Sequence, residues 1–281
     1  MQMDEWEQKL QQMKKDVIGN STKQLDGLNP EKPITMTTEC GTNVCPKCKG
    51  SGWMYVDFEA NLMTECDCGL RQRQIQENKL RFAAIPKTYK DVRLKDISAR
   101  FYAQENSKNI IKAASKDVKN YLDKLFEHIE EGRGLYFWSE TKGSGKTMMA
   151  AALANELINE HHRYVKFATS LDILDEIRNT YNRNSEDTES KLLKDLVTSE
   201  FLIIDDFGTE RATDWAGEKF YQIVNKRYVN KKVTIFTSNY NLTTLRYDDR
   251  ITNRIRERCW IIHFPEESVR EYKARLYEKK G

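Results

Sequence analysis

Apolar and polar positions change their rhythm along this chain. In residues 4–18 (DEWEQKLQQMKKDVI), Trp6, Leu10, Met13 and Val17 recur at helical spacing, which predicts an amphipathic helix stopped by Gly19 and Asn20. Residues 21–38 are polar, carry Pro30 and Pro33, and read as a linker. Beyond a cysteine-rich stretch, residues 70–84 predict a charged helix ending at Ile85-Pro86, because the residue before a proline is driven out of the helical region. One long helix is expected over 107–129, with Ile110, Ile111, Ala114, Val118, Leu122, Leu125 and Ile129 on a single stripe. From Gly132 onward short apolar runs alternate with helical segments: LYFW at 135–138, YVKFA at 164–168, FLII at 201–204, VTIF at 233–236 and WIIHF at 260–264. Strands alternating with helices predict an α/β fold, a parallel sheet with helices on both faces.

At 281 residues the chain is comfortable for two domains. The expected division is 1–85, helical and cysteine-bearing, and 86–281, carrying the strand–helix alternation. A formal net charge of +3, from 46 Lys and Arg against 43 Asp and Glu, is too small to argue for nucleic acid by itself. No run approaches the ~18 apolar residues of a membrane span, and the first ten residues are too charged for a secretory signal. A cytoplasmic protein without membrane association is therefore expected.

Residues 139–147 read SETKGSGKT, between the 135–138 strand and a helix expected over 148–159. This is the P-loop pattern for a nucleoside triphosphate, ATP with magnesium. Gly143 and Gly145 let backbone N–H groups turn inward where a side chain would clash. The expected cradle is Thr141, Lys142, Gly143, Ser144, Gly145, Lys146, Thr147 and Met148, with Lys146 reaching the terminal phosphates and the Thr147 hydroxyl on magnesium. Glu140 stands where the first glycine of G-x-x-x-x-G-K-T belongs. A carboxylate facing phosphates would repel them, so Glu140 is expected to point away, toward Lys142, and hydrolysis to be slow. Residues 201–210 (FLIIDDFGTE) deliver two acids at a strand end: Asp205 for magnesium, Asp206 to polarise the attacking water. The following strand ends in Thr237, Ser238 and Asn239, where a polar residue can orient that water or simply make a strand-end turn.

GSGKT, LIIDDFGTE, TIFTSNY, RITNRI and SVR together resemble the DnaC/DnaI-type bacterial and phage helicase loaders, in the initiator branch of the AAA+ ATPases. The resemblance covers residues 86 to about 273, and AIPKTYKDV is similar to the start of that family's ATPase domain. It implies sensor roles for Asn239 and Arg270 and an arginine finger at Arg254, with Arg250 flanking the same position. A finger acting in trans implies self-association into an ATP-dependent oligomer. After the 260–264 strand a single helix is expected, 268–280, in place of the full helical lid of many AAA+ proteins.

Cys45 and Cys48 (CPKC) followed by Cys66 and Cys68 (CDC) offer the four thiolates of a structural zinc, with Gly50 and Gly52 as turn positions and Cys40 as a substitute ligand. By resemblance to phage and Gram-positive loaders, a zinc-binding domain before the ATPase grips the replicative helicase. The resulting expectation is an ATP-dependent loader that docks on a hexameric replicative helicase and helps place it on single-stranded DNA. Arg178, Arg183, Lys191 and Lys194 are its DNA-contact candidates, although a polar surface loop explains them equally well. Two other readings share the motifs: a transposition-associated AAA+ ATPase, and a nucleotide-switched binding protein with little hydrolysis.

Overall fold

The computed structural model describes residues 45–57, 60, 62–181, 193–210 and 213–278. The helix expected at 4–18, the linker at 21–38 and Cys40 lie outside the described residues. By compactness the chain divides into residues 1–46 and 47–281. The second unit starts with an antiparallel hairpin, β1 (Trp53–Asp57) and β2 (Leu62–Glu65), which the cysteine-rich sequence did not announce. Helix α1 (Leu70–Ala83) follows, then three 3-10 turns (Lys87–Tyr89, Leu94–Asp96, Ala99–Phe101).

Helices α2 (Glu105–Asp123) and α3 (Leu125–Glu131) replace the single helix expected over 107–129. The break falls at Lys124, whose φ of −114° and ψ of 26° leave the helical region. It lets α3 fold back so that His128 stacks on Tyr121, ring centroids 4.6 Å apart, and against Trp260 at 4.8 Å. The Tyr121 hydroxyl then donates to the Arg133 carbonyl at 2.6 Å. The apolar stripe is continuous in sequence, yet these ring contacts need a bend.

Five strands follow with their helices: β3 (Gly134–Trp138), α4 (Lys146–Asn159), β4 (Val165–Thr169), α5 (Ser170–Tyr181), β5 (Phe201–Asp205), α6 (Asp214–Val229), β6 (Val233–Ser238), α7 (Asp249–Arg258), β7 (Cys259–His263) and α8 (Val269–Glu278). All five strands are parallel, in the order β4-β5-β6-β3-β7. Alternate strand residues feed two cores. Leu135, Phe137, Phe201, Ile203 and Ile235 pack with α2 and α4, while Tyr136, Leu202, Ile204 and Phe236 pack with α5, α6 and α7. Burial on both faces explains why these strands read as unbroken apolar runs. Gly134 permits the closest approach: a Cβ there would lie 1.8 Å from the Thr234 carbonyl oxygen.

Helix α4 is buried almost all round, its run of alanines allowing the sheet and the 70–97 segment to close on it. Asn155 donates to the carbonyls of Tyr89 and Val92 at 2.9 and 2.8 Å, and Gln76 of α1 donates to Ile158 O at 3.1 Å. Helix α1 thus packs with the sheet domain in the second unit.

One buried cation orders the lower edge of the sheet. Arg227 is 1% exposed, and its guanidinium donates to Leu196 O at 2.6 Å, Ser199 O at 2.9 Å, Val233 O at 2.6 Å and Thr234 Oγ1 at 2.9 Å. Burial pushes its pKa down to about 9. These acceptors belong to the segments that start β5 and β6. No helix among the described residues is long and apolar enough to cross a membrane.

Candidate nucleotide site

The strand order brings distant segments together. Because β6 lies between β3 and β5, its end falls between the 139–147 loop and the acid pair. A cleft of about 450 Å³ opens there, outside the C-terminal ends of the strands, where open α/β sheets bind ligands. Lys142 to Met148 line it together with Asp206, Thr209, Asn239, Arg270, Thr88 and Tyr89.

The loop takes its shape from two glycines with φ of 78° at Gly143 and 100° at Gly145, a region most side chains avoid. A Cβ on Gly143 would lie 2.9 Å from Ser268 Oγ, and one on Gly145 would lie 2.9 Å from the Tyr102 hydroxyl. That hydroxyl donates to Ser144 O at 2.7 Å, and the Val269 N–H donates to Gly143 O at 3.0 Å. Glu266 accepts the N–H groups of Glu140 and Thr141 at 3.0 and 2.8 Å. Burial alone would raise the Glu266 carboxyl, but hydrogen bonds from His263, Thr141 and these backbone groups carry it down to about 2. Glu140 itself is exposed and does not line the cleft.

Lys146 is 4% exposed, its ammonium 3.0 Å from Thr141 O and 3.2 Å from both Ser139 O and Ser144 Oγ. Burial lowers its pKa to about 8 against the opposing pull of Asp206, Glu266 and Asp205. Asp205, also buried, accepts the Thr237 hydroxyl at 2.5 Å, and the Thr147 side chain lies near enough to favour its ionised form. Burial foremost, and then the charge of Asp206, raise its carboxyl to about 6. Thr147 and Asp205 thus meet, and a hydroxyl beside a carboxylate is a donor set that fits magnesium. Asp206 sits at φ 54°, a left-handed conformation costing a non-glycine residue on the order of 1–3 kcal/mol. Its N–H donates to Thr237 Oγ1 at 2.9 Å, and its carbonyl accepts the Thr209 hydroxyl at 2.8 Å.

The structure therefore brings together Lys146, Thr147, Asp205, Asp206, Asn239 and Arg270. It gives Thr237, named in the sequence only as part of the TSN strand end, a contact of its own with both acids. It also adds Glu210, a buried acid accepting from Ser170, Tyr247 and Gly208. Arg250 and Arg254 lie away from this cleft. Arg254 Nε donates to Asn225 Oδ1 at 2.9 Å, and its guanidinium stacks on Tyr221 at 5.1 Å and Tyr228 at 5.4 Å. Arg250 is more exposed, paired with Asp248 at 2.9 Å and stacked on Tyr221 at 4.6 Å. Among the DNA-contact candidates, Arg178 lies over the Trp215 ring at 4.8 Å and pairs with Asp175, and Lys194 is exposed. Arg183 and Lys191 fall outside the described residues.

Apart from the cleft, the thiols of Cys45, Cys48, Cys66 and Cys68 lie within 4.8 Å of one another, and Cys48 Sγ is 3.7 Å from Cys68 Sγ. Four thiolates around zinc at ~2.3 Å sit about 3.8 Å apart, so the set fits that ion. Gly50 and Gly52, at φ 85° and 77°, turn the chain, and the Cys66 N–H reaches Gly52 O at 2.8 Å.

A glycine loop and an acid pair at the C-terminal ends of a five-stranded parallel sheet define a P-loop protein of the AAA+ class. The family described as IstB-like ATP binding protein matches residues 41–276, and the chain belongs to it. The replicative helicase loader DnaC of Escherichia coli (strain K12) is 31% identical over 150 residues, covering 51% of this chain and 60% of the loader. The phage-like element PBSX protein XkdC of Bacillus subtilis (strain 168) is 27% identical over 223 residues, 76% of this chain and 79% of XkdC. The crystal structure of the DnaC helicase loader superposes with a TM-score of 0.55 at 25% identity, over 64% of this chain and all of that one. The DnaI crystal structure, at 23% identity and a TM-score of 0.51 over 65% of this chain and 95% of that one, shares the fold.

Proposed function

We propose that this chain is an ATP-hydrolysing loader that docks on a hexameric replicative helicase and assists its placement on single-stranded DNA. The observation that carries the reading is the convergence of the glycine loop, Lys146, Thr147 and Asp206 in one cleft, with the buried Asp205 behind them. Similarity to replicative helicase loaders supplies the partner.

In this reading the loop N–H groups and the start of α4 cradle the phosphates of ATP. Lys146 exchanges the loop carbonyls for the terminal phosphate oxygens. Thr147 and Asp205 would hold magnesium, which supplies charge neutralisation between the terminal phosphates. Asp206 accepts a hydrogen bond from the attacking water, Asn239 orients it, and Arg270 covers the γ-phosphate from within the chain. Arg254, with Arg250 as its neighbour, completes the site of an adjoining subunit in an ATP-dependent oligomer. Cys45, Cys48, Cys66 and Cys68 hold a structural zinc, and residues before 86 carry helicase docking.

A pull-down with a candidate replicative helicase, paired with ATP turnover measured with and without single-stranded DNA, tests this. Helicase capture with DNA-responsive turnover is expected. Capture with tight ATP binding and no turnover would favour the nucleotide-switched binding protein. No helicase capture would sink the loader reading and return the transposition-associated one.

A further inference from the structure

Glu210 is 7% exposed, a carboxylate in the interior that does not line the cleft. Burying such a group is costly unless donors compensate. Three donors do, each from a different element. The Gly208 N–H lies at 3.1 Å, the Ser170 hydroxyl comes from the start of α5, and the Tyr247 hydroxyl comes from the residue before the N-cap of α7.

The packing around these bonds is close. A Cβ on Gly208 would lie 2.6 Å from Leu245 Cδ1 and 3.2 Å from Tyr240 Cδ2. The Tyr247 ring stacks on Phe207 with centroids 5.0 Å apart and planes 23° from parallel. The 206–210 turn is therefore seated on the 240–247 segment, which starts beside Asn239 and ends at the Asp248 cap of α7. Asp248 in turn accepts the Arg250 N–H at 2.7 Å and pairs with its guanidinium.

We propose that Glu210 is a positioning residue that locks α7, and with it Arg250 and Arg254, to the turn carrying Asp206, so that this turn sets where a subunit presents those arginines to a neighbour. A carboxylate suits the task because it only accepts, and all three surrounding groups donate. The inference rests on the proposed role of the α7 arginines in trans.

Mixed subunits test it. An Arg250→Ala/Arg254→Ala acceptor keeps its own cleft but presents no arginine, and a Lys146→Ala donor presents arginines from a disabled cleft. ATP turnover by the mixture then reports how well the donor's arginines are placed. Adding Tyr247→Phe or Glu210→Gln to the donor should lower that turnover about tenfold, the scale of one hydrogen bond to a charged group. The donor's melting temperature should fall, because a buried carboxylate loses a donor, yet the donor should stay folded at the assay temperature and the acceptor's KM should stay unchanged. Tyr247→Phe keeps the stacked ring, so it decides the matter even if Glu210→Gln misfolds. Equal turnover with all donors overturns the inference alone. A dead mixture with the simple Lys146→Ala donor, beside an active wild type, overturns the trans-arginine reading and this inference with it.

Discussion

The Thr237 hydroxyl donates to the Asp205 carboxylate at 2.5 Å, and the same oxygen accepts the Asp206 N–H at 2.9 Å. One side chain at the end of β6 therefore holds the Asp205 carboxylate of the neighbouring strand and the backbone of Asp206 just beyond it. Thr237→Val keeps the shape and removes both bonds. We expect turnover to fall roughly 10–100-fold, with more magnesium needed for half-maximal rate, and Thr237→Ser to restore most of it. A magnesium titration identical to wild type would dismiss Thr237 as an ordinary strand residue.

Lys146→Ala removes a buried ammonium that donates to loop acceptors, with Asp206, Glu266, Asp205 and Arg270 as charged neighbours. Nucleotide affinity should drop about 10–100-fold while the circular dichroism spectrum is retained. Unchanged affinity in a folded variant would remove the phosphate-site assignment.

The thiol cluster leads to an expectation of one zinc per chain. Chelation should expose all four thiols to a thiol reagent and loosen the β1–β2 hairpin, while nucleotide affinity persists. Freshly reduced protein that contains no metal by elemental analysis would refute it.

Arg254→Ala should bind ATP nearly as wild type and lose ~10³-fold in turnover, because a finger acts on the charge of the transition state. Mixing it with Lys146→Ala should restore part of the rate. Arg254 also packs between Tyr221 and Tyr228, so its melting temperature must be compared alongside. If the Arg254→Ala mixture stays dead while the analogous Arg250→Ala mixture recovers, the more exposed Arg250 takes the role.

His128 gives a pH-dependent expectation. Both ring nitrogens are buried without a hydrogen-bond partner among the described residues, and burial, with help from Arg133 and Lys124 against Glu127 and Glu131, lowers its pKa. The unfolded chain therefore takes up the proton first, near pH ~6.5. Stability present above that pH is lost as the pH falls toward the folded pKa. His128→Phe should flatten this decline, gaining on wild type between about pH 7 and 5.5 in urea melts. Parallel curves for the two proteins would count against it.

The sheet was legible because its strands are buried on both faces and therefore run apolar without interruption, as at Phe201 to Ile204. The phosphate loop was legible because Gly143, Gly145 and Lys146 are local to one turn. Thr237 and Glu210 were not, since their roles exist only once β6 is inserted between β3 and β5 and the 240–247 segment folds back. The bend at Lys124 was hidden for a similar reason. The bend seats His128 face-on against Tyr121 and edge-on against Trp260, two residues far apart in the chain.

Arg227 holds the beginnings of β5 and β6, while every group in the nucleotide cleft sits at the strands' other ends. Mechanically, the sheet is a row of cantilevers bolted at one edge. The register of β5 against β6 is set where Arg227 bonds both roots, and Asp205, Asp206 and Thr237 lie at the ends farthest from that anchor.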